Sequence, residues 1–390
     1  MAKTARATTV VVALMIAMTG CVPEPAPSPT PTASPSPTRT ATPTPAPTSD
    51  PLAGWSLGDR VGQLFMVGTP LADGAADPTT LAAVRDDHIG GIFLQGRSSA
   101  GAASTARLVS TFTAVSPQGR PGLWVATDQE GGGVQVLSGL GFEQIPSALA
   151  QGRVDPGALR SDAARWGGQL AAAGVNMNLA PVADIVTSPE TAPGNPPIGA
   201  LDREYGYDQT TVAAHAGAFA EGMRDAGVLP TFKHFPGLGH VGSNTDTTAG
   251  VTDRFVTADG ADVGVYRTVT GEGPAVVMMS TAIYALIDPS SPAAFSPAVV
   301  TGVLREQVGF TGVVTTDDLS AAQQVQAWAP GDRATLAIEA GVDLLLVSAD
   351  PTVFPAMYQA VLARAQSDSG FAAKVDAAAR RIVAAKAAMP

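Results

Sequence analysis

The sequence predicts a single α/β domain folded as a TIM (β/α)8 barrel. Two observations carry that expectation: eight short apolar runs, and a longer Ala-rich stretch of helical spacing between each run and the next. The runs are residues 61–68, 90–96, 123–128, 175–181, 229–235, 275–282, 311–318 and 343–350. Each is apolar almost throughout rather than alternating, as expected of parallel strands covered on both faces. In the connections, Val212, Ala213, Ala216, Phe219 and Ala220 recur at helical intervals over 209–227, and Val299, Val300, Val303 and Leu304 do so over 296–306. Ser296-Pro297 offers a capping side chain followed by proline at the first helical position. The longest connections follow runs three, four and five, where a barrel builds loops on its C-terminal face. A doubly wound, two-lobed sheet would need a hinge and a second sheet, and neither is visible in the pattern.

The barrel is expected over residues 52–390, after two segments that cannot fold with it. Residues 1–20 read as a signal peptide: Lys3 and Arg6 precede the apolar run 8–18, which is shorter than the ~20 apolar residues needed to span a bilayer. Met18-Thr19-Gly20-Cys21 resembles a bacterial lipobox, making Cys21 the expected site of lipid attachment. Residues 21–51 are almost wholly Pro, Thr, Ser and Ala, a composition unable to bury a core. Extended as polyproline II at ~3.1 Å per residue, they form a tether of about 90 Å. The expected location is the extracytoplasmic face of the cell membrane, with the lipid as the membrane contact.

Charge and composition exclude several classes. A net charge of −11 with no basic cluster disfavours nucleic acid as a partner. The single cysteine precludes an internal disulfide, and four scattered histidines form no zinc-binding spacing, so no metal or other cofactor is inferred. No feature suggests a protein partner.

The chemistry lies at the ends of the runs, where Asp128-Gln129-Glu130, Lys233-His234, Ser280-Thr281 and Thr316-Asp317-Asp318 interrupt apolar sequence. One polar residue there is an ordinary strand cap. Several acids with a lysine and a histidine at one end of a barrel indicate an active site, the alternative being a structural ion-pair network.

Five motifs in order, Asp128-Gln129-Glu130-Gly131-Gly132, Ala180-Pro181-Val182-Ala183-Asp184, Lys233-His234-Phe235-Pro236-Gly237, Phe295-Ser296-Pro297 and the segment 309–319 containing Thr316-Asp317-Asp318-Leu319, closely resemble signatures of glycoside hydrolase family 3. The resemblance runs from about Trp55 to the C-terminus and is to the single-domain β-N-acetylglucosaminidase type. It implies an exo-acting, retaining β-N-acetylhexosaminidase of cell-wall or related glycans. Asp317 would be the nucleophile that forms a glycosyl-enzyme, and Asp318 would orient it or cap the next helix. The resemblance also assigns sugar contacts to Asp128, Arg203, Lys233 and His234, whose charged groups suit vicinal hydroxyls. Few aromatic residues are available to line a polysaccharide groove, which favours a pocket for one terminal sugar.

The resembling enzymes take their general acid/base from an Asp-x-His dyad after the fifth strand. In this alignment Asp246 fills the acid position and Thr248 the histidine position. Threonine cannot shuttle a proton near neutral pH. His240 is the histidine left on that loop, close enough in sequence to pair with Asp246, and so becomes the candidate acid/base beside it. Gly133 and Val136 stand where the family commonly carries arginines, with Arg97 available to supply the charge. A β-glucosidase-like glycosidase and a catalytically impaired sugar-binding lipoprotein are the competing readings.

Overall fold

The computed structural model describes residues 50–389 except Asp73, together with Gly20 and Ala26. Cys21, the signal segment apart from Gly20, and nearly all of the tether lie outside the described residues.

Eight parallel strands form one sheet: β1 Phe65–Pro70, β2 Gly91–Gln95, β3 Trp124–Thr127, β4 Met177–Asn178, β5 Leu229–Phe235, β6 Val276–Met279, β7 Val313–Thr316 and β8 Leu345–Val347. Their spatial order follows the chain from β1 to β7, with β8 beside β1. A bridge between Thr315 and Leu344 joins β7 to β8 and closes the ring. All eight predicted runs therefore supply a strand. Their residues are buried almost without exception, which is why the runs read as continuous rather than alternating.

The first run differs in where its strand begins. Residues 61–63 end the helix Leu57–Gln63, because Ser56 and Asp59 form a reciprocal capping box that starts a helix upstream. The strand begins only at Phe65. The eighth strand is also shorter than its run, occupying Leu345–Val347.

The connecting helices pack as the periodicity predicts. Asp208 caps Gln209–Asp225 through Thr211 N–H at 2.9 Å, and the helix buries Val212, Ala213, Ala216, Phe219 and Ala220. It packs against Pro156–Ala172 so closely that a Cβ at Gly222 would strike the Arg160 carbonyl and the Ala163 methyl. Ser296 caps the helix Ala298–Gln307 by accepting Val299 N–H at 3.2 Å. That helix is wider than an α-helix, its last turn closing from Val308 N–H to the Val303 carbonyl at 2.8 Å.

At the N-terminal mouth, Lys386 of the last helix, Ser369–Ala387, donates to the Gly90 carbonyl and Gln63 Oε1 at 2.7 and 3.0 Å. The opposite mouth is walled by the loops after β3, β4, β5 and β6. They include the hairpin of Gln129–Gly131 with Val134–Gln135, and a small sheet joining 252–253, 283–284 and 288–292. No helix among the described residues is long and apolar enough to cross a membrane.

Candidate active site

A cavity of about 430 Å³ opens at the C-terminal mouth. Its floor is Phe93, Leu179, Met278 and Leu346, and its polar wall carries Asp128, Arg203, Lys233, His234, Asn244, Asp246, Asp317 and Asp318. Seven of the strand-end and loop residues named from the sequence stand in this wall: Asp128, Arg203, Lys233, His234, Asp246, Asp317 and Asp318.

One side is a chain of alternating charges. Lys233, from β5, donates to Asp128 Oδ1 at 2.7 Å and lies 2.6 Å from Glu130 Oε1. Glu130 receives Arg203 in a fork, Nε to Oε2 at 2.8 Å and Nη2 to Oε1 at 2.7 Å. A third guanidinium bond runs to the Pro197 carbonyl at 2.6 Å. Burial alone would raise the Glu130 pKa, but Arg203 and Lys233 together hold it down at about 2. Burial would likewise discharge Lys233, and Asp128 with Glu130 keeps its pKa above the ordinary value. Glu130 and Lys233 are therefore ionised near neutrality, and the chain of four groups is fixed in place and aimed at a polar ligand.

His234 is oriented from behind. Asp184, fully buried just past the fourth run, accepts from His234 Nδ1 at 2.7 Å, from the His234 backbone N–H at 3.1 Å and from Leu238 N–H at 2.8 Å. Holding the proton on Nδ1 leaves Nε2 to meet the ligand. The sequence assigns no individual role to Glu130 or Asp184. Their signal was present, since each is an acid inside a strand-end motif, but its meaning depends on which neighbour the barrel sets beside it.

Asp317 ends β7. Its backbone N–H donates to the Met279 carbonyl at 3.1 Å, and its Oδ1 accepts from Asp318 N–H at 2.8 Å. Asp318 anchors the turn: it accepts from Ser320 N–H and Oγ at 3.0 and 2.6 Å, from Ala321 N–H at 3.0 Å and from Ser348 N–H at 2.8 Å. The last bond ties the end of β7 to the end of β8.

Across the cavity, Asp246 reaches solvent through the mouth yet is closely surrounded by protein. The surrounding protein, reinforced by the Asp317 carboxylate, pushes its pKa up to about 6, while His234 and Arg203 act in the opposite direction. A raised carboxylic acid facing a second carboxylate is the electrostatic arrangement of a glycosidase acid and nucleophile.

The structure corrects the pairing expected of His240. Its ring does not meet Asp246: Nδ1 lies 3.0 Å from Thr187 Oγ1 and Nε2 lies 3.0 Å from Asp262 Oδ1. Both nitrogens are engaged outside the cavity. A Cβ at Gly239 would strike the Ile185 carbonyl, so the chain before His240 lies flat against the loop after β4 and turns the ring toward Asp262. Burial would lower the His240 pKa, but Asp262 more than offsets this and raises it.

The dyad position also shifts. Thr248 lines a separate outer cleft with Gly242, Ser243 and Arg254. The residues two apart that face Asp317 are Asn244 and Asp246, with Asn244 Oδ1 accepting Asp246 N–H at 2.8 Å. Arg97 is likewise absent from the cavity wall. Its guanidinium is spent on the Gln135 and Gly133 carbonyls at 3.1 and 2.5 Å, bracing the hairpin after β3. Among the described residues, no group of three or more His, Cys, Asp or Glu is arranged to hold a metal ion.

The family model for the glycosyl hydrolase family 3 N-terminal domain matches residues 56–385. The crystal structure of a β-N-acetylhexosaminidase from Beutenbergia cavernae superimposes with a TM-score of 0.84 at 58% identity, covering 85% of this chain and 98% of that one. A family 3 β-N-acetylglucosaminidase from a Paenibacillus species gives a TM-score of 0.78 at 33% identity, covering 85% of this chain and 62% of that one. The β-hexosaminidase LpqI of Mycobacterium tuberculosis is 36% identical over 302 residues, 74% of this chain and 72% of its own.

Proposed function

The chain belongs to glycosyl hydrolase family 3 and is a glycoside hydrolase; on that premise we propose an exo-acting, retaining β-N-acetylhexosaminidase in which Asp317 is the nucleophile and Asp246 the acid/base. The observation that carries this reading is the shared cavity: Asp317 and Asp246 face it together with Asp128, Arg203, Lys233 and His234. The names of the Beutenbergia and Mycobacterium relatives support the hexosaminidase specificity.

The terminal sugar is gripped through its hydroxyls by Asp128, Lys233, Arg203 and the free Nε2 of His234. Asp317 attacks the anomeric carbon as Asp246 delivers its proton to the departing oxygen, leaving a glycosyl ester on Asp317 and a carboxylate on Asp246. Ester formation removes the Asp317 charge, one of the two main causes of the raised Asp246 pKa. Asp246 consequently becomes a weaker proton holder and stays ionised as the base that activates water in the second half. Water adds to the anomeric carbon, Asp317 leaves as carboxylate, and Asp246 recovers its proton.

This arrangement favours an active enzyme over an impaired sugar binder. The absent dyad histidine has a substitute in Asp246, whose own environment raises its pKa toward neutrality. Cys21 and the segment before it support lipid attachment at the extracytoplasmic face, with cell-wall glycans as the accessible substrate class. Hydrolysis of aryl β-N-acetylglucosaminide and aryl β-glucoside should be compared directly. A large preference for the N-acetyl sugar is expected, and an equal or reversed preference would overturn the specificity.

A further inference from the structure

The loop bearing Asp246 leaves the barrel after β5, but it is fastened to the segment that follows β7. Gln323 N–H donates to the Asp246 carbonyl at 3.1 Å, and Gln324 N–H donates to the Thr245 carbonyl at 3.0 Å. The Gln324 side chain adds a reciprocal pair: Oε1 accepts Val251 N–H at 2.8 Å, and Nε2 donates to the Val251 carbonyl at 3.2 Å. Gln324 and Val251 are both buried, so neither partner exchanges these bonds for water without opening the loop.

The segment making these bonds is itself held from two sides. Asp318 accepts three donors at its start, from Ser320 and Ala321. The buried Arg333 donates to the Leu319 and Ser320 carbonyls at 2.8 and 3.0 Å, and to Gln326 Oε1 at 2.8 Å. One ordered turn thus begins beside Asp317 and ends on the backbone of Asp246.

We propose that Gln324 is a positioning residue for the reaction, locking the Asp246 loop to the Asp317 turn and so setting the separation of the two carboxylates. The proposal rests on the reading of Asp246 as acid/base. Gln324 is outside the cavity wall and acts only through the loop. Its loss leaves the two backbone bonds of Gln323 and Gln324 but removes the pair at Val251, freeing the return limb of the loop. A displacement of about 1 Å in a catalytic group costs on the order of 10²-fold. That cost falls on the step that needs a proton and spares a leaving group that departs unassisted.

The test measures kcat/KM on an alkyl and a dinitrophenyl β-N-acetylglucosaminide for the wild type, Gln324→Ala, Gln324→Met and Asp246→Asn. Methionine keeps the length of the side chain without its hydrogen bonds. Both Gln324 variants should lose about 10- to 100-fold on the alkyl substrate and less than about threefold on the dinitrophenyl substrate. Equal losses on both substrates, or none, in a variant with a cooperative thermal transition would overturn the proposal. Selective loss in Asp246→Asn without selective loss at Gln324 defeats this proposal alone. Absence of selectivity in Asp246→Asn defeats the acid/base reading and the proposal with it. Should both Gln324 variants fail to fold, amide exchange of the wild type decides: Val251 N–H should exchange as slowly as the strand amides of β7, and rapid exchange would overturn the lock.

Discussion

The sharpest consequence of the site concerns how rate depends on pH and leaving group together. If Asp246 donates the proton, only its protonated form can expel a poor leaving group. With a pKa of about 6, roughly a tenth of it is protonated at pH 7 and about a hundredth at pH 8. On an alkyl β-N-acetylglucosaminide, kcat/KM should therefore fall about tenfold per unit above pH 6. A dinitrophenyl aglycone departs without a proton and should show no such limb. Asp246→Asn should abolish the limb and lower the alkyl rate by about 10²- to 10⁴-fold, the ordinary worth of general acid catalysis. Added azide should restore turnover of the dinitrophenyl substrate by this variant, since it attacks the glycosyl-enzyme without a base. The assay is steady-state kinetics on both substrates from pH 4 to 9. A basic limb of the same midpoint on both substrates, surviving in Asp246→Asn, would exclude Asp246 as the proton donor.

Other expectations follow from the same geometry. His240→Ala should reduce alkyl and dinitrophenyl rates by the same factor, because both ring nitrogens are engaged outside the cavity; a loss confined to the alkyl substrate would return the acid role to His240. Glu130→Gln should destabilise the fold by about 3–5 kcal/mol at pH 7, since it leaves Arg203 and Lys233 short of a buried partner. The Glu130 pKa is depressed in the folded state, so its contribution is complete above its ordinary value of 4.5 and fades as pH falls toward 2. Melting curves of the two proteins should converge over that window, and a constant gap would contradict the linkage. Removing residues 1–49 should leave the cooperative melt intact while Cys21→Ser shifts the full-length protein from the membrane to the soluble fraction; a lost transition or an unchanged partition would count against the tether or the anchor respectively.

The barrel was legible because parallel strands covered on both faces leave long apolar runs, and all eight supply strands. The start of β1 was not, because the Ser56–Asp59 capping box claims residues 61–63 for a helix although their apolar character continues into the strand. Within the site, Asp128, Lys233, His234 and Asp317 announce themselves as polar residues ending apolar runs. The supporting roles of Glu130 and Asp184 arise from pairings across strands, Glu130 with Arg203 and Lys233 and Asp184 with His234. Local sequence does not fix which side chains meet there. His240 marks the limit of reasoning by proximity along a loop. Asp246 is six residues away in the chain, yet the ring faces Asp262, in the first turn of the helix Ala261–Val269.

Trapping the glycosyl-enzyme with a fluorinated N-acetylglucosaminyl donor that forms the ester quickly and releases it slowly, followed by peptide mass mapping, identifies the nucleophile. A single added sugar on the carboxylate of Asp317, absent from Asp317→Asn, is the predicted result. A stable adduct on another residue, or turnover by Asp317→Asn at the wild-type rate, would contradict it.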